Sequence, residues 1–153
     1  MQVMGLRASS QEIRYAILVK DSNGTIAFEN MSNENRLKYP ANIQNVADKL
    51  YWVKSEIDRI LRQNPSIEKI ILKMNEYSGT ETTSKRETTY VDAIILLCAV
   101  EHGIPVERRL NSQISSTAAR AKELAEQRVG RTTNYWNGTI ADAILSAFWE
   151  IRK

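Results

Sequence analysis

The sequence predicts an α/β fold: one five-stranded mixed sheet with helices on both faces. Three observations predict it. The N-terminal third holds short runs rich in Val, Ile and Leu, two of them joined by a hairpin signal. Two later apolar runs each follow a helix-length stretch, the order that builds parallel strand–helix–strand units. The C-terminal third has helical periodicity.

Gln2–Leu6 and Ile13–Lys20 read as the first two strands. Asp21-Ser22-Asn23-Gly24 turns the chain, because Asn-Gly accepts positive φ at small cost. Thr25–Glu29 is then an antiparallel third strand. Met31–Pro40 is polar and reads as an irregular loop, closed by Pro40. Asn42 is the expected N-cap of a long helix. Ile43, Val46, Ala47, Leu50, Val53, Ile57, Ile60 and Leu61 share one of its faces, and Asn64-Pro65 ends it.

Ile67–Lys73 is short and apolar, as expected of a buried strand parallel to the first. Met74–Arg86 reads as a polar loop. The second helix, Thr88–His102, is apolar almost all round, which implies burial on more than one side. Gly103 suits its C-terminal cap. Pro105–Leu110 is the fifth strand, and Ser115 or Ser116 opens a third helix to about Arg128. After Val129–Asn137, a last helix carries Ile140, Ile144, Ala147, Phe148 and Ile151 on one face.

The length of 153 residues suits a single domain, residues 1–153. A net charge of +3 permits nucleic-acid binding without demanding it. Cys98 is the lone cysteine and lies in an apolar run, so a buried, inert thiol is expected. No basic leader precedes a long apolar stretch, and no apolar run reaches the roughly 20 residues that span a bilayer. The expectation is a cytoplasmic protein with no membrane contact. His102 is the only histidine and reads as a helix C-terminal partner. No Ser-His or Cys-His system, G-x-S-x-G elbow or P-loop is present.

The order of elements frames two short motifs. Gly5-Leu6-Arg7-Ala8-Ser9-Ser10 follows the first strand, and Ala141-Asp142-Ala143-Ile144-Leu145 lies in the last helix. Together they resemble the ribonuclease H-like superfamily, in its RuvC-like (Holliday junction resolvase-like) branch. That branch usually opens with Gly-Ile-Asp-Pro-Gly-Ser and closes with Asp-x-x-Asp-Ala-x-Ala. The resemblance implies carboxylates at the ends of the first and fourth strands and at the start of the last helix. Such acids hold Mg²⁺, a hard ion that takes oxygen ligands. Two such ions activate water and stabilise the leaving oxygen.

Most of those acids are missing here. Arg7 stands in the first Asp's place, and Thr139 lies three before Asp142. Glu76, just past Lys73 and Asn75, is the only acid within reach of the fourth strand's end. Glu76 and Asp142 are therefore the possible remnants of a catalytic set. An Arg cannot ligate a metal. Arg7 reads as a solvated residue, a phosphate contact, or a charge filling the vacated metal place. Asp142 needs a partner beside Leu145 and Trp149, and Arg7 can supply it. It reads equally as a working ligand. Asp92 reads as a helix N-terminal dipole partner. No metal and no cofactor are expected, with Mg²⁺ required only if nuclease activity survives.

Lys85, Arg86, Arg128 and Arg131, with Tyr135 and Trp136, supply the expected nucleic-acid contacts alongside Arg7. The competing reading of Arg128–Trp136 is a loop whose aromatics cap the core. The functional expectation is a nucleic-acid-binding RuvC-like domain with degenerate or absent nuclease activity, taking DNA before RNA. One rival is a metal-dependent endonuclease or resolvase with an altered acid set. The other is a non-catalytic homodimeric interaction protein. A homodimer is expected from the apolar surplus on the second and last helices.

Overall fold

The computed structural model describes residues 1–153. Its strands are β1 (Gln2–Ala8), β2 (Glu12–Lys20), β3 (Ile26–Phe28), β4 (Arg36–Lys38), β5 (Lys69–Lys73) and β6 (Val106–Arg109). Its helices are α1 (Val46–Gln63), α2 (Thr83–Glu101), α3 (Ala121–Arg128) and α4 (Gly138–Ile151). One mixed sheet runs β3-β2-β1-β5-β6, with β4 also paired to β2. β2 is antiparallel to β1, whereas β1, β5 and β6 are parallel to one another.

Alternation along β1 sends Met4, Leu6 and Ala8 to one face and Val3, Gly5 and Arg7 to the other. The first face packs on α1 and α2 through Val53, Ile57, Ile60, Val91 and Ile95. The second packs on α3 and α4 through Leu124, Ile140, Ile144 and Ala147. Helices thus cover both faces, as expected. Gly5 is where α4 comes nearest: a Cβ there would lie 1.9 Å from the Ala143 carbonyl oxygen. Only glycine permits that approach. No helix is long and apolar enough to cross a membrane.

The largest departures from the sequence reading are an extra strand and three helix starts. Arg36–Lys38 is a sixth, short strand inside the expected irregular loop, with only Leu37 of its three residues buried. α1 is capped by Asn45, whose side chain accepts the Asp48 N–H, rather than by Asn42. α2 starts five residues before Thr88, because Thr82 caps it by accepting the Lys85 N–H. α3 starts at Ala121; Asn111–Ile114 forms a 3₁₀ turn and Ser115 takes a left-handed conformation with φ of 49°.

Candidate functional site

The parallel strands β1, β5 and β6 end at one edge of the sheet, and α4 begins over it. Arg7 points toward α4. Its Nε lies 3.4 Å from Asp142 Oδ2. Its terminal nitrogens donate to Asn75 Oδ1 at 2.7 Å and to the Lys73 carbonyl at 3.3 Å. One guanidinium therefore ties together β1, the end of β5 and α4. Burial pushes the Asp142 carboxyl above its ordinary range, and the nearby Arg7 and Lys73 only partly offset it.

Lys73 is buried beside it. Its Nζ donates to the Met74 carbonyl at 2.6 Å and to Glu76 Oε1 at 3.1 Å. Glu76 also accepts the Asn111 backbone N–H at 2.6 Å. Partial burial would raise the Glu76 pKa, but the Asn111 and Lys73 hydrogen bonds outweigh it and hold the carboxyl low.

The sequence reading missed the role of Asp92. It lies in the middle of α2, not at its head, because α2 starts earlier than its apolar pattern indicates. Asp92 is 8% exposed, and its Oδ1 has no hydrogen-bond partner. Burial raises its pKa to about 7, against the pull of Arg7, Lys73 and Arg108. It borders a cleft of about 460 Å³ with Glu76, Lys85, Leu96 and Arg108.

Strand register adds a feature that no single segment displays. Arg36, Arg14, Arg7, Lys73 and Arg109 stand opposite one another in a row across β4, β2, β1, β5 and β6. Like charges in register are unfavourable, so each needs its own partner. Arg36 Nε reaches Glu12 Oε2 at 2.6 Å. Arg14, fully buried, donates to the Asn35 and Tyr135 carbonyls and to the Asn35 and Asn137 side chains. Arg109 pairs with Glu150 of α4. Lys69 and Lys153 join that pair and bring Glu150 down to about 2, against a burial effect that would raise it.

No three carboxylates, histidines or cysteines converge on a point that could hold a metal ion. Asp142 faces a guanidinium and Glu76 an ammonium group. A cation between them would meet Arg7 and Lys73 at short range. The donor set does not fit a two-metal centre.

The other expected contacts divide. Lys85 lines the Asp92 cleft, with its Nζ on Ser78 Oγ and the Thr80 carbonyl. Arg86 is turned to Glu81 at 3.0 Å. Arg128 lies over the Phe148 and Trp149 rings at 5.6 Å and 5.4 Å, toward the far end of α4 from Asp142. Arg131 lies over Trp136 at 5.6 Å and 3.8 Å from Glu126. Arg7, Arg86, Arg128 and Arg131 thus form no single cluster. Trp136 packs half-buried against the α4 core, while Tyr135 is exposed beneath Arg36. Arg108 and Lys38, which the sequence reading did not single out as contacts, are exposed at the same sheet edge.

Sheet order, antiparallel β2 and a closing helix over the ends of β1 and β5 define a ribonuclease H-like fold in its RuvC-type form. Thermus thermophilus RuvC in complex with a Holliday junction substrate matches with a TM-score of 0.78 and 14% identity, over 99% of this chain and 94% of that one. The yeast mitochondrial Holliday junction resolvase Ydc2 matches at 0.62 and 14%, over 98% and 77%. The fowlpox virus Holliday junction resolvase matches at 0.52 and 13%, over 97% and 93%. At these identities the likeness is one of fold. No protein-family model matches the sequence, and no curated protein does.

Proposed function

We propose that residues 1–153 form one nucleic-acid-binding domain that engages branched DNA, in preference to RNA, without two-metal hydrolysis. The observation that carries the second half is the Arg7 clamp on Asp142 and Asn75. It puts a fixed positive charge where a nuclease of this fold needs an acid. The first half is supported by the fold shared with a resolvase bound to a Holliday junction. It is also supported by the exposed side chains of Lys85, Arg108 and Lys38 along the same edge. Phosphate contacts of this kind position a nucleic acid without reading its sequence. A cytoplasmic setting fits the lone buried thiol of Cys98, which burial pushes up to about 12.

The test is anisotropy with labelled four-way junction, linear duplex, single strand and RNA hairpin, at low and raised salt without divalent ions. Junction DNA should bind tightest, with affinity falling as salt rises. Adding Mg²⁺ or Mn²⁺ should give no strand cleavage. Failure of the protein to bind any of the four at low salt would end the reading. Cleavage that disappears in Asp142→Asn would replace it with a working nuclease.

One observation favours a homodimer in addition. Tyr90, Leu97 and Val100 lie at helical spacing on α2 and are 42%, 47% and 71% exposed. A self-complementary contact would cover that stripe. Sedimentation equilibrium should show a dimer that Leu97→Glu converts to monomer.

A further inference from the structure

Tyr135 combines three properties that seldom occur together. Its φ is 56°, in the left-handed region that costs a non-glycine residue free energy. Its ring is nonetheless 62% exposed, so core packing does not explain the conformation. Its backbone is held from below: Arg14 donates from a terminal nitrogen to the Tyr135 carbonyl at 2.6 Å. Arg14 is itself fully buried and gripped by Asn35, through the carbonyl at 3.1 Å and the side-chain oxygen at 2.8 Å. The Arg36 guanidinium lies 4.2 Å from the ring centroid. A strained, anchored and outward-facing aromatic is expected where a ligand needs a rigid flat surface.

The ring borders a cleft of about 310 Å³, walled by Asn33, Glu34, Arg36, Lys38, Thr133 and Asn134. Side-chain amides and hydroxyls there can meet either hydrogen-bonding pattern of a base edge. The two cations can meet its phosphate. Position along the sheet adds a further constraint. Arg36 is two strands from Arg7 in the same row, on the order of 10 Å at ordinary strand spacing. A nucleic-acid strand crossing the Arg7 edge would therefore bring a base one or two nucleotides away over Tyr135.

We infer that Tyr135 is a stacking platform for one unpaired nucleobase, laid on the ring face that Arg36 leaves open, next to a phosphate path past the exposed Lys38. The inference rests on the nucleic-acid reading above and names the residue that distinguishes an unpaired base from a paired one. Trp136, half-buried on the α4 core, does not take part.

The experiment uses a four-way junction with 2-aminopurine at the branch point, titrated with wild type, Tyr135→Phe and Tyr135→Gly. Stacking quenches the probe. Wild type and Tyr135→Phe should quench it equally. Tyr135→Gly should lose the quench and bind about tenfold more weakly, since one base–aromatic stack is lost. Its salt slope should not change, because no phosphate contact is removed. Glycine suits the left-handed backbone, so Tyr135→Gly should melt no lower than wild type, which separates ligand binding from folding. If wild type binds and Tyr135→Gly quenches and binds as well as it does, the platform is refuted and the nucleic-acid reading stands. If wild type binds no nucleic acid, both fall.

Discussion

Arg7 and Asp142 stand 3.4 Å apart with side chains only 16% and 17% exposed, bridging the end of the first strand to the last helix. Removing one partner leaves the other charge poorly solvated, which costs more than the pair itself contributes. Arg7→Ala should destabilise by about 2 kcal/mol in urea unfolding. Arg7→Ala with Asp142→Ala together should cost less than the sum of the two single changes. Additive losses would mean that the two charges do not interact.

The same pair governs metal affinity. Wild type should give no calorimetric signal with millimolar Mg²⁺. Arg7→Asp combined with Thr139→Asp removes the guanidinium and adds two carboxylates beside Asp142 and Glu76. That double variant should bind Mn²⁺ by electron paramagnetic resonance. Binding by wild type that Asp142→Asn abolishes would show that the cations do not block the site.

Asp92 sets a pH dependence whose sign follows from its environment. Its folded pKa of about 7 lies above the ordinary carboxyl value, so the folded state holds the proton more tightly. Stability from this group is present at acid pH and lost as pH climbs toward and through 7. Asp92→Asn keeps the shape and cannot ionise. It should raise stability at pH 8 by on the order of 2 kcal/mol and flatten the fall with rising pH. Thermal melts from pH 4 to pH 8 would show this. A variant no more stable than wild type at pH 8 would show that Asp92 ionises without penalty.

The salt slope should report on Lys85 and Arg108, not on Arg128. Lys85→Ala with Arg108→Ala should flatten log affinity against log salt by roughly two units, one per phosphate contact. Arg128→Ala should leave the slope alone and lower stability, because its guanidinium lies over Phe148 and Trp149. A slope that changes only with Arg128 would move the interface to the far end of α4.

Much of the fold was legible because its signals are local. β2 begins within one residue of the predicted run and ends where it does, and Asn-Gly marks the turn after it. β4 was not legible: Arg-Leu-Lys carries no strand pattern, and only pairing with Glu12–Arg14 makes it one. The start of α2 is hidden because Thr83–Glu87 is wholly polar, and its cap lies upstream of the apolar residues. That same shift hid Asp92. The resemblance set Arg7 and Asp142 at one edge of the sheet and left Asp142 equally an ion-pair partner or a ligand; the pair is formed. The cation row was not legible, because it exists only through register across five strands.

The position of α4 in the chain bears on when this fold can form. α4 supplies seven of the sixteen buried residues of one core, and its Glu150 pairs with Arg109 and Lys69. Until residue 151 has left the ribosome tunnel, the inner side of the sheet stays wet. Lys69 and Arg109 then have only Glu107 as counter-charge, and Gly5 has no helix against it. A ribosome pausing before Gly138 would expose an apolar, positively charged surface close to ribosomal RNA. The nascent chain should therefore gain from a chaperone, or from fast synthesis, until Gly138–Ile151 has emerged.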